Sequence, residues 1–527
     1  MFSITAVLLS TIWFGCRQNP DVIFLTIDTL RVDHIEAFAT GSPSKTPNIN
    51  ALAKDSILFT QAYSPISVTG PAFSTLHTGM EPSEHGVIIN MFRGGVPLAN
   101  SKTTLAEVLR TNGYQTGAFL SGFTLNPTLN LQQGFDTYDF PNYDNKFQRR
   151  RAGSETTEAM FDWLQFSMGN VFVWWHTYDP HGPWDVWATE EELLRIESSK
   201  TQAQIQKEND TQIRISDKKK KRRKWYHKKE TSPSLKKLPD QNPELSQEEH
   251  KNLEHIPEYQ RLGTITDVHL YKELYRRSVE HTDTEIGKII EFLKKKNRYD
   301  NSIIILTADH GESFTERELW FDHGTYPHEE QLHIPLLIKL PKQQRAGEVR
   351  NELVGLRDVM PSVLQELDIS VPEEVSGKNI IENQSWTQLW GESSHCKQEA
   401  VLPCMPVGPK GKILSVRTET HRVVRNIIED TVQFQIYDLI QDPKEMSPLE
   451  IQSGHNKLIQ DVAQMYAQRK DQIDSITWPQ SQKQKNKTES NIGNSDSKNS
   501  ESKTKENSSA ETDEEELEML RQLGYIE

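Results

Sequence analysis

The chain has 527 residues, 35% of them hydrophobic, 8% aromatic and 26% charged, a length that calls for more than one domain and a composition that excludes both a disordered polyelectrolyte and a polytopic membrane protein. Three cysteines exclude a disulfide scaffold and a multi-cysteine zinc module. The net charge is −15 even though nine of the twelve residues 218–229 are Lys or Arg, so opposite charges are segregated and a nucleic-acid-wrapping body is disfavoured.

At the N-terminus, residues 4–15 are almost wholly apolar, yet the run is shorter than the roughly 20 residues that cross a bilayer as a helix. It reads as a signal segment. The Gly15-Cys16 junction, followed by Arg17-Gln18-Asn19-Pro20, resembles a bacterial lipoprotein cleavage site at which Cys16 is lipidated. The expectation is a leader over 1–16, export to the periplasm or cell envelope, and a membrane surface as a partner through Cys16. Export also permits Cys396 and Cys404 to pair in an oxidising compartment.

The main body is expected over 20–375. Runs at 22–27, 171–175 and 303–306 are short, apolar and rich in β-branched or aromatic residues, as buried parallel strands are. Helical spacing between them is clearest over 270–293. Strands alternating with helices predict an α/β fold, a doubly wound and mostly parallel sheet flanked by helices. Residues 190–258 are dominated by Lys, Glu, Gln, Ser and Asp and read as an unstructured basic insertion. With Trp225 and Tyr226 in its basic run it suits either a grip on an anionic polymer or a solvated loop, and the latter is favoured. Segments at 413–417, 421–428 and 432–439 predict a smaller antiparallel α+β subdomain over 376–479. A polar tail over 480–512 and a short terminal helix over 513–527 complete the chain.

In an open α/β sheet, ligands sit beyond the carboxyl ends of the strands. Asp28 follows the first run, His176, Asp179 and His181 follow the second, and Asp309 and His310 follow the third. Singly, an aspartate after a strand is more often a helix cap or a turn residue. Together, carboxylates and an imidazole at neighbouring strand ends suit a divalent cation such as Ca²⁺, Mn²⁺, Mg²⁺ or Zn²⁺. Asp179 and His181 with His323 offer a second such group.

The segment Ser67-Val68-Thr69-Gly70-Pro71-Ala72-Phe73-Ser74-Thr75-Leu76-His77-Thr78-Gly79 resembles the signature of the sulfatase family within the alkaline phosphatase superfamily. That signature has a nucleophile, a Pro two residues on and a Thr-Gly that ends ten residues on. Thr69 fits this register and Ser67 does not. The resemblance extends through Asp28, Asp309-His310-Gly311-Glu312, Asp322-His323-Gly324, Asp358-Val359-Met360-Pro361-Ser362, Tyr437-Asp438-Leu439 and Leu520-Arg521-Gln522-Leu523-Gly524-Tyr525-Ile526. It implies that Asp28, Thr69, Asp309 and His310 share a divalent metal (Ca²⁺, Mn²⁺ or Zn²⁺), that Thr69 forms a covalent ester intermediate, and that His181 and His323, with Asp179, bind the substrate or pass protons. Threonine stands where formylglycine sulfatases have Cys or Ser, so no formylglycine is expected. Phe73, Ser121, Phe123 and Thr29 replace the family's Arg, Lys, His and second Asp. These replacements resemble the phosphodiesterase, phosphonate hydrolase and phosphoglycerol transferase branches, and favour phosphorus esters over sulfate.

The expected function is metal-dependent hydrolysis of a small-molecule, glycan or lipid ester of sulfate, phosphate or phosphonate. The alternatives are a phosphoglycerol-type headgroup transferase of the cell envelope and a decayed-site protein that binds anionic polymers. Neither a specific nucleic acid nor a particular oligomer is implied. Intact mass checks the leader: processing before Cys16 removes the first fifteen residues, whereas a retained Met1 rejects it.

Overall fold

The computed structural model of the protein describes residues 19–91, 95–141, 150–204, 252–392, 414–428, 431–452, 455 and 457–460. Cys16, Cys396, Cys404, the basic run, the polar tail and the terminal helix expected at 513–527 lie outside these residues.

Strand β1 (Asp21–Ile27) occupies the middle of the main sheet, between β5 (Val171–Thr177) and β6 (Ser302–Ala308), and pairs parallel with both. Every residue of these three strands is buried. Both faces are therefore covered, which is why their sequences run apolar without alternation. The remaining strands are β2 (Ile57–Tyr63), β3 (Gln115–Leu120), β4 (Thr137–Asp139), β7 (His333–Lys339), β8 (Val349–Arg350) and β9 (Val354–Gly355). The order is β4-β3-β5-β1-β6-β7-β2-β8, with β9 also on β2, and β7 alone runs against its neighbours. The mostly parallel α/β expectation holds.

Helices α1 (Pro47–Lys54), α2 (Thr69–Thr78), α3 (Leu105–Thr111), α4 (Gly153–Leu164), α5 (Val268–Lys295) and α6 (Val359–Glu366) flank the sheet. The longest, α5, begins where Asp267 accepts from the N–H groups of His269 and Leu270, a side-chain N-cap. It buries Leu274, Val279, Ile286, Ile289 and Leu293, the apolar stripe that its 3.6-residue period aligns. Phe292 of α5 stacks on Phe161 of α4 at 4.1 Å.

A second sheet, β10 (Gln388–Glu392), β11 (Leu414–Thr418), β12 (His421–Ile428) and β13 (Thr431–Asp438), is antiparallel throughout. Three of its strands match the segments expected from sequence, whereas β10 does not figure among them. Ions dock this sheet on the main body. Arg422 of β12 donates to Glu329 at 2.7 Å and to Glu445, Arg417 of β11 donates to Glu329 at 2.9 Å, and Arg317 of the main body donates to Glu445 O at 2.7 Å. Burial pushes Glu329 up, but Arg417, Arg422 and His333 outweigh it and bring the carboxyl down to about 2.

Two expectations need correction. Residues 190–204 are helical rather than unstructured, because Ile196 is buried in the core and Glu192 pairs with Arg277 at 2.6 Å. Ile380 and Ile381 belong to the large core, so the residues just after 375 pack with the main body and not with the second sheet.

Removing one member of a buried ion pair leaves the other charge uncompensated. Arg422→Ala is expected to lower stability by about 3–5 kcal/mol, read by denaturant unfolding. Because the Glu329 carboxyl is held below its ordinary value of 4.5, its contribution is complete above that value and lost as pH falls toward 2. Acid unfolding of the Glu329→Gln variant should lack this component.

Candidate active site

The parallel register puts the carboxyl ends of β1, β5 and β6 on one rim, and the chain turns there around a few backbone contacts. Asp28 continues β1, its N–H donating to Thr177 O at 3.0 Å. The next residue, Thr29, takes a left-handed conformation with φ 51°, which is strained for a β-branched side chain. This turns its N–H onto Asp309 Oδ1 at 3.1 Å. Tyr275 of α5 clamps the same turn, donating to Thr29 O at 2.8 Å and accepting from Arg31 N at 2.9 Å. After β6, Gly311 N donates to Gln331 O at 2.8 Å, and a side chain at 311 would lie 2.2 Å from Glu330 O. Glycine is required there for close approach.

Asp28, Asp309 and His310 converge, with one donor atom from each within 4.8 Å of the others. All three are wholly buried. Both Asp28 oxygens, Asp309 Oδ2 and His310 Nε2 lack hydrogen-bond partners among the described residues. His310 Nδ1 lies 2.8 Å from Gly311 O and Nε2 lies 3.3 Å from Asp309 Oδ2. Two carboxylates and an imidazole nitrogen converging in a buried site form a ligand set that fits a cation. Burial, and then the neighbouring charge of Asp309, hold the Asp28 carboxyl well above its ordinary range, against the opposing pull of His310 and Thr69.

Thr69 is the first residue of α2, after Val68 at the N-cap. Its hydroxyl lies near enough to Asp28 to favour the ionised carboxylate, without meeting strict hydrogen-bond geometry. The next N–H, of Gly70, donates to Asn90 Oδ1 at 2.8 Å. Ser67 donates to Gln331 Oε1 at 2.9 Å and accepts from Gly324 N at 3.0 Å. It therefore ties the start of α2 to the loop bearing His323.

The imidazoles gather beside this group. His323 stands 4.6 Å from His310 and 5.0 Å from His181, ring centre to ring centre. His323 Nδ1 lies 3.2 Å from the Glu312 carboxylate. Burial, then the charge of Asp322, push the Glu312 carboxyl well up. His181 Nδ1 lies 2.6 Å from Gly182 O, and burial, then His323, hold His181 well below its ordinary value. Asp179 sits apart from these rings. Its carboxylate accepts from Gly153 N, the first residue of α4, at 3.1 Å and lies 3.9 Å from His281.

Four contributors were not assigned from sequence. His176 Nε2, buried and without a hydrogen-bond partner, lies 3.6 Å from Asp28 Oδ2; its place at a strand end was visible, its direction was not. Glu312 stands in the Asp309-His310-Gly311-Glu312 run. Asn90 and Gln331 carry no local signal, since loops far apart in sequence bring them in.

The sulfatase family profile matches residues 20–369, and that of the N-sulphoglucosamine sulphohydrolase C-terminal region matches 317–472. The chain belongs to the sulfatase family. It is 23% identical over 490 residues to an N-acetylglucosamine-6-O-sulfatase of Bacteroides thetaiotaomicron, covering 82% of each chain. Its fold matches a solved structure in complex with D-glucosamine-2-N,6-O-disulfate, with TM-score 0.62 and 17% identity over 88% of this chain and 99% of that one. It also matches a phosphonate monoester hydrolase of Agrobacterium radiobacter, with TM-score 0.61 and 17% identity over 86% and 96%. This sulfatase-family chain is an ester hydrolase, and its relatives favour hydrolysis over the transferase and polymer-binding alternatives. The family generally binds a divalent metal, and the acceptor set at Asp28, Asp309 and His310 fits one.

Proposed function

We propose that this sulfatase-family enzyme cleaves phosphate or phosphonate esters, with Thr69 as the nucleophile and Asp28, Asp309, His310 and Thr69 holding a divalent metal ion. What supports the reading is that Thr69 opens α2, that its hydroxyl favours the ionised form of the Asp28 carboxyl, and that both Asp28 oxygens lack hydrogen-bond partners among the described residues. At this helix start Gly70 N–H is taken by Asn90 and Pro71 has none, so what favours an incoming anion there is the positive end of the helix dipole. When bound, a divalent ion lowers the pKa of a coordinated hydroxyl and offsets charge on the ester oxygens.

The chain's own groups account for the proton steps. Thr69 Oγ1 passes its proton to the adjacent Asp28 carboxylate and attacks phosphorus, a new P–O bond forms as the bond to the leaving oxygen breaks, and the proton returns to Oγ1 when water displaces it from phosphorus. His323, with the Glu312 carboxyl behind Nδ1, is placed to protonate that oxygen. His181 is held neutral with its Nδ1 proton on Gly182 O, so its Nε2 can accept a hydrogen bond from the water that cleaves the Thr69 ester. Threonine cannot become formylglycine, and this favours phosphorus over sulfur. The glycan or small-molecule sulfates of the relatives define the competing substrate class.

Two measurements test the reading. Against bis(4-nitrophenyl) phosphate, 4-nitrophenyl phenylphosphonate and 4-nitrophenyl sulfate, the phosphorus esters are expected to turn over fastest. Thr69→Ala should lower kcat/KM by on the order of 10³-fold or more, and unchanged turnover rejects the nucleophile. Separately, metal analysis of Asp28→Asn should show loss of the divalent ion retained by the parent; equal metal content in both rejects the ligand set.

A further inference from the structure

A half-buried arginine, Arg150, stands beside the crevice just before α4. Its backbone forms an antiparallel bridge with Gly122, two residues beyond the end of β3. The next residue fastens the same stretch: Arg151 N donates to Ser121 O at 2.9 Å, its Nη2 donates to Leu120 O at 2.9 Å, and its Nη1 pairs with Asp139 at 2.6 Å. Strand β3 lies against β5, so the Arg150 side chain reaches the loop after β5. There Nη1 donates to His181 O at 2.7 Å and Nη2 to Pro183 O at 2.9 Å.

These two carbonyls flank Gly182, whose own carbonyl lies 2.6 Å from His181 Nδ1. Holding the groups on either side fixes the peptide between them, and that peptide presents the oxygen that meets the imidazole. Glycine gives the backbone more freedom than any other residue, so this stretch depends on a brace from outside. Earlier in the loop indoles serve the same purpose: Trp187 Nε1 donates to Asp179 O at 3.2 Å and Trp184 Nε1 to Pro180 O at 2.6 Å. A guanidinium suits the last position because its planar fork makes two charge-assisted bonds in one fixed geometry. A lysine ammonium, a point charge on a flexible stem, does not reproduce that fork.

We propose that Arg150 is a positioning residue, which aims the His181 imidazole by holding the His181 and Pro183 carbonyls. This rests on the role given to His181 above. The contribution passes through His181 and not through contact with the ester: without the guanidinium the Gly182 peptide turns more freely, and the imidazole loses its fixed direction. A displacement of about 1 Å at such a group costs on the order of 10²-fold in rate.

A double-variant cycle in the full chain tests this with 4-nitrophenyl phenylphosphonate, or with 4-nitrophenyl sulfate if that is the ester cleaved. Arg150→Ala is expected to lower kcat by about 10- to 100-fold while KM stays within about twofold of the parent. With His181→Ala already present, the same change is expected to cost less than about threefold. Unchanged kcat, a loss confined to KM, or an equal fractional loss with and without the His181 imidazole each overturn the inference. If Arg150→Ala melts below the parent, Arg150→Lys, which keeps the charge and loses the fork, takes its place in the same cycle. His181→Ala at the parent's kcat rejects the role of His181 and this inference with it, whereas a slow His181→Ala beside an additive loss from Arg150→Ala rejects this inference alone.

Discussion

The crevice rests on a repulsion. Asp28 and Asp309 are buried within one small group, and neither Asp28 oxygen has a hydrogen-bond partner among the described residues. In a low-dielectric interior two such carboxylates favour sharing a proton or binding a cation, and the raised Asp28 carboxyl expresses that cost. The surrounding architecture prevents relief by any other route. Thr29 is held in a strained turn by Asp309 and Tyr275, and the glycine at 311 lets the backbone of the 330–331 segment pack against the other carboxylate's loop. The acceptors therefore stay aimed at one point.

A second layer of order positions the histidines. Ser67, two residues before Thr69, accepts from Gly324 and donates to Gln331, so the start of α2 is hydrogen-bonded to the loop of His323. Gln331 in turn reaches Ser313 and Asp322. Glu329, close in sequence, accepts from the arginines of the second sheet. The antiparallel subdomain thus acts as a buttress for the loop between Asp309 and β7, and its matching family profile spans that junction.

Much of this was readable in the order of residues. Buried parallel strands announce themselves as uninterrupted apolar runs because both faces are covered, and the polar residues that end those runs must lie along one rim. Asp28, Asp309 and His310 could be grouped for that reason, and Thr69 by its register with Pro71 and Gly79. The second sheet's hairpin strands were equally visible, since turn residues punctuate them.

What required the tertiary structure was direction and partnership. Local pattern marks Asp179 as one more strand-end acid, but the carboxylate is spent on the first turn of α4. His176 reads as one more polar residue at a strand end, and only the fold brings its Nε2 to 3.6 Å from Asp28. The helix at 190–204 reads as a charged loop because its stabilising contacts, Ile196 in the core and Glu192 with Arg277, come from distant elements. The sequence by itself determined the sheet, its chemical rim and which carboxylates and imidazole stand at the strand ends, because strand period and strand ends are local properties. Only the folded chain decided which acceptors lack partners and which histidines face one another, because hydrogen bonds across hundreds of residues leave no periodic trace.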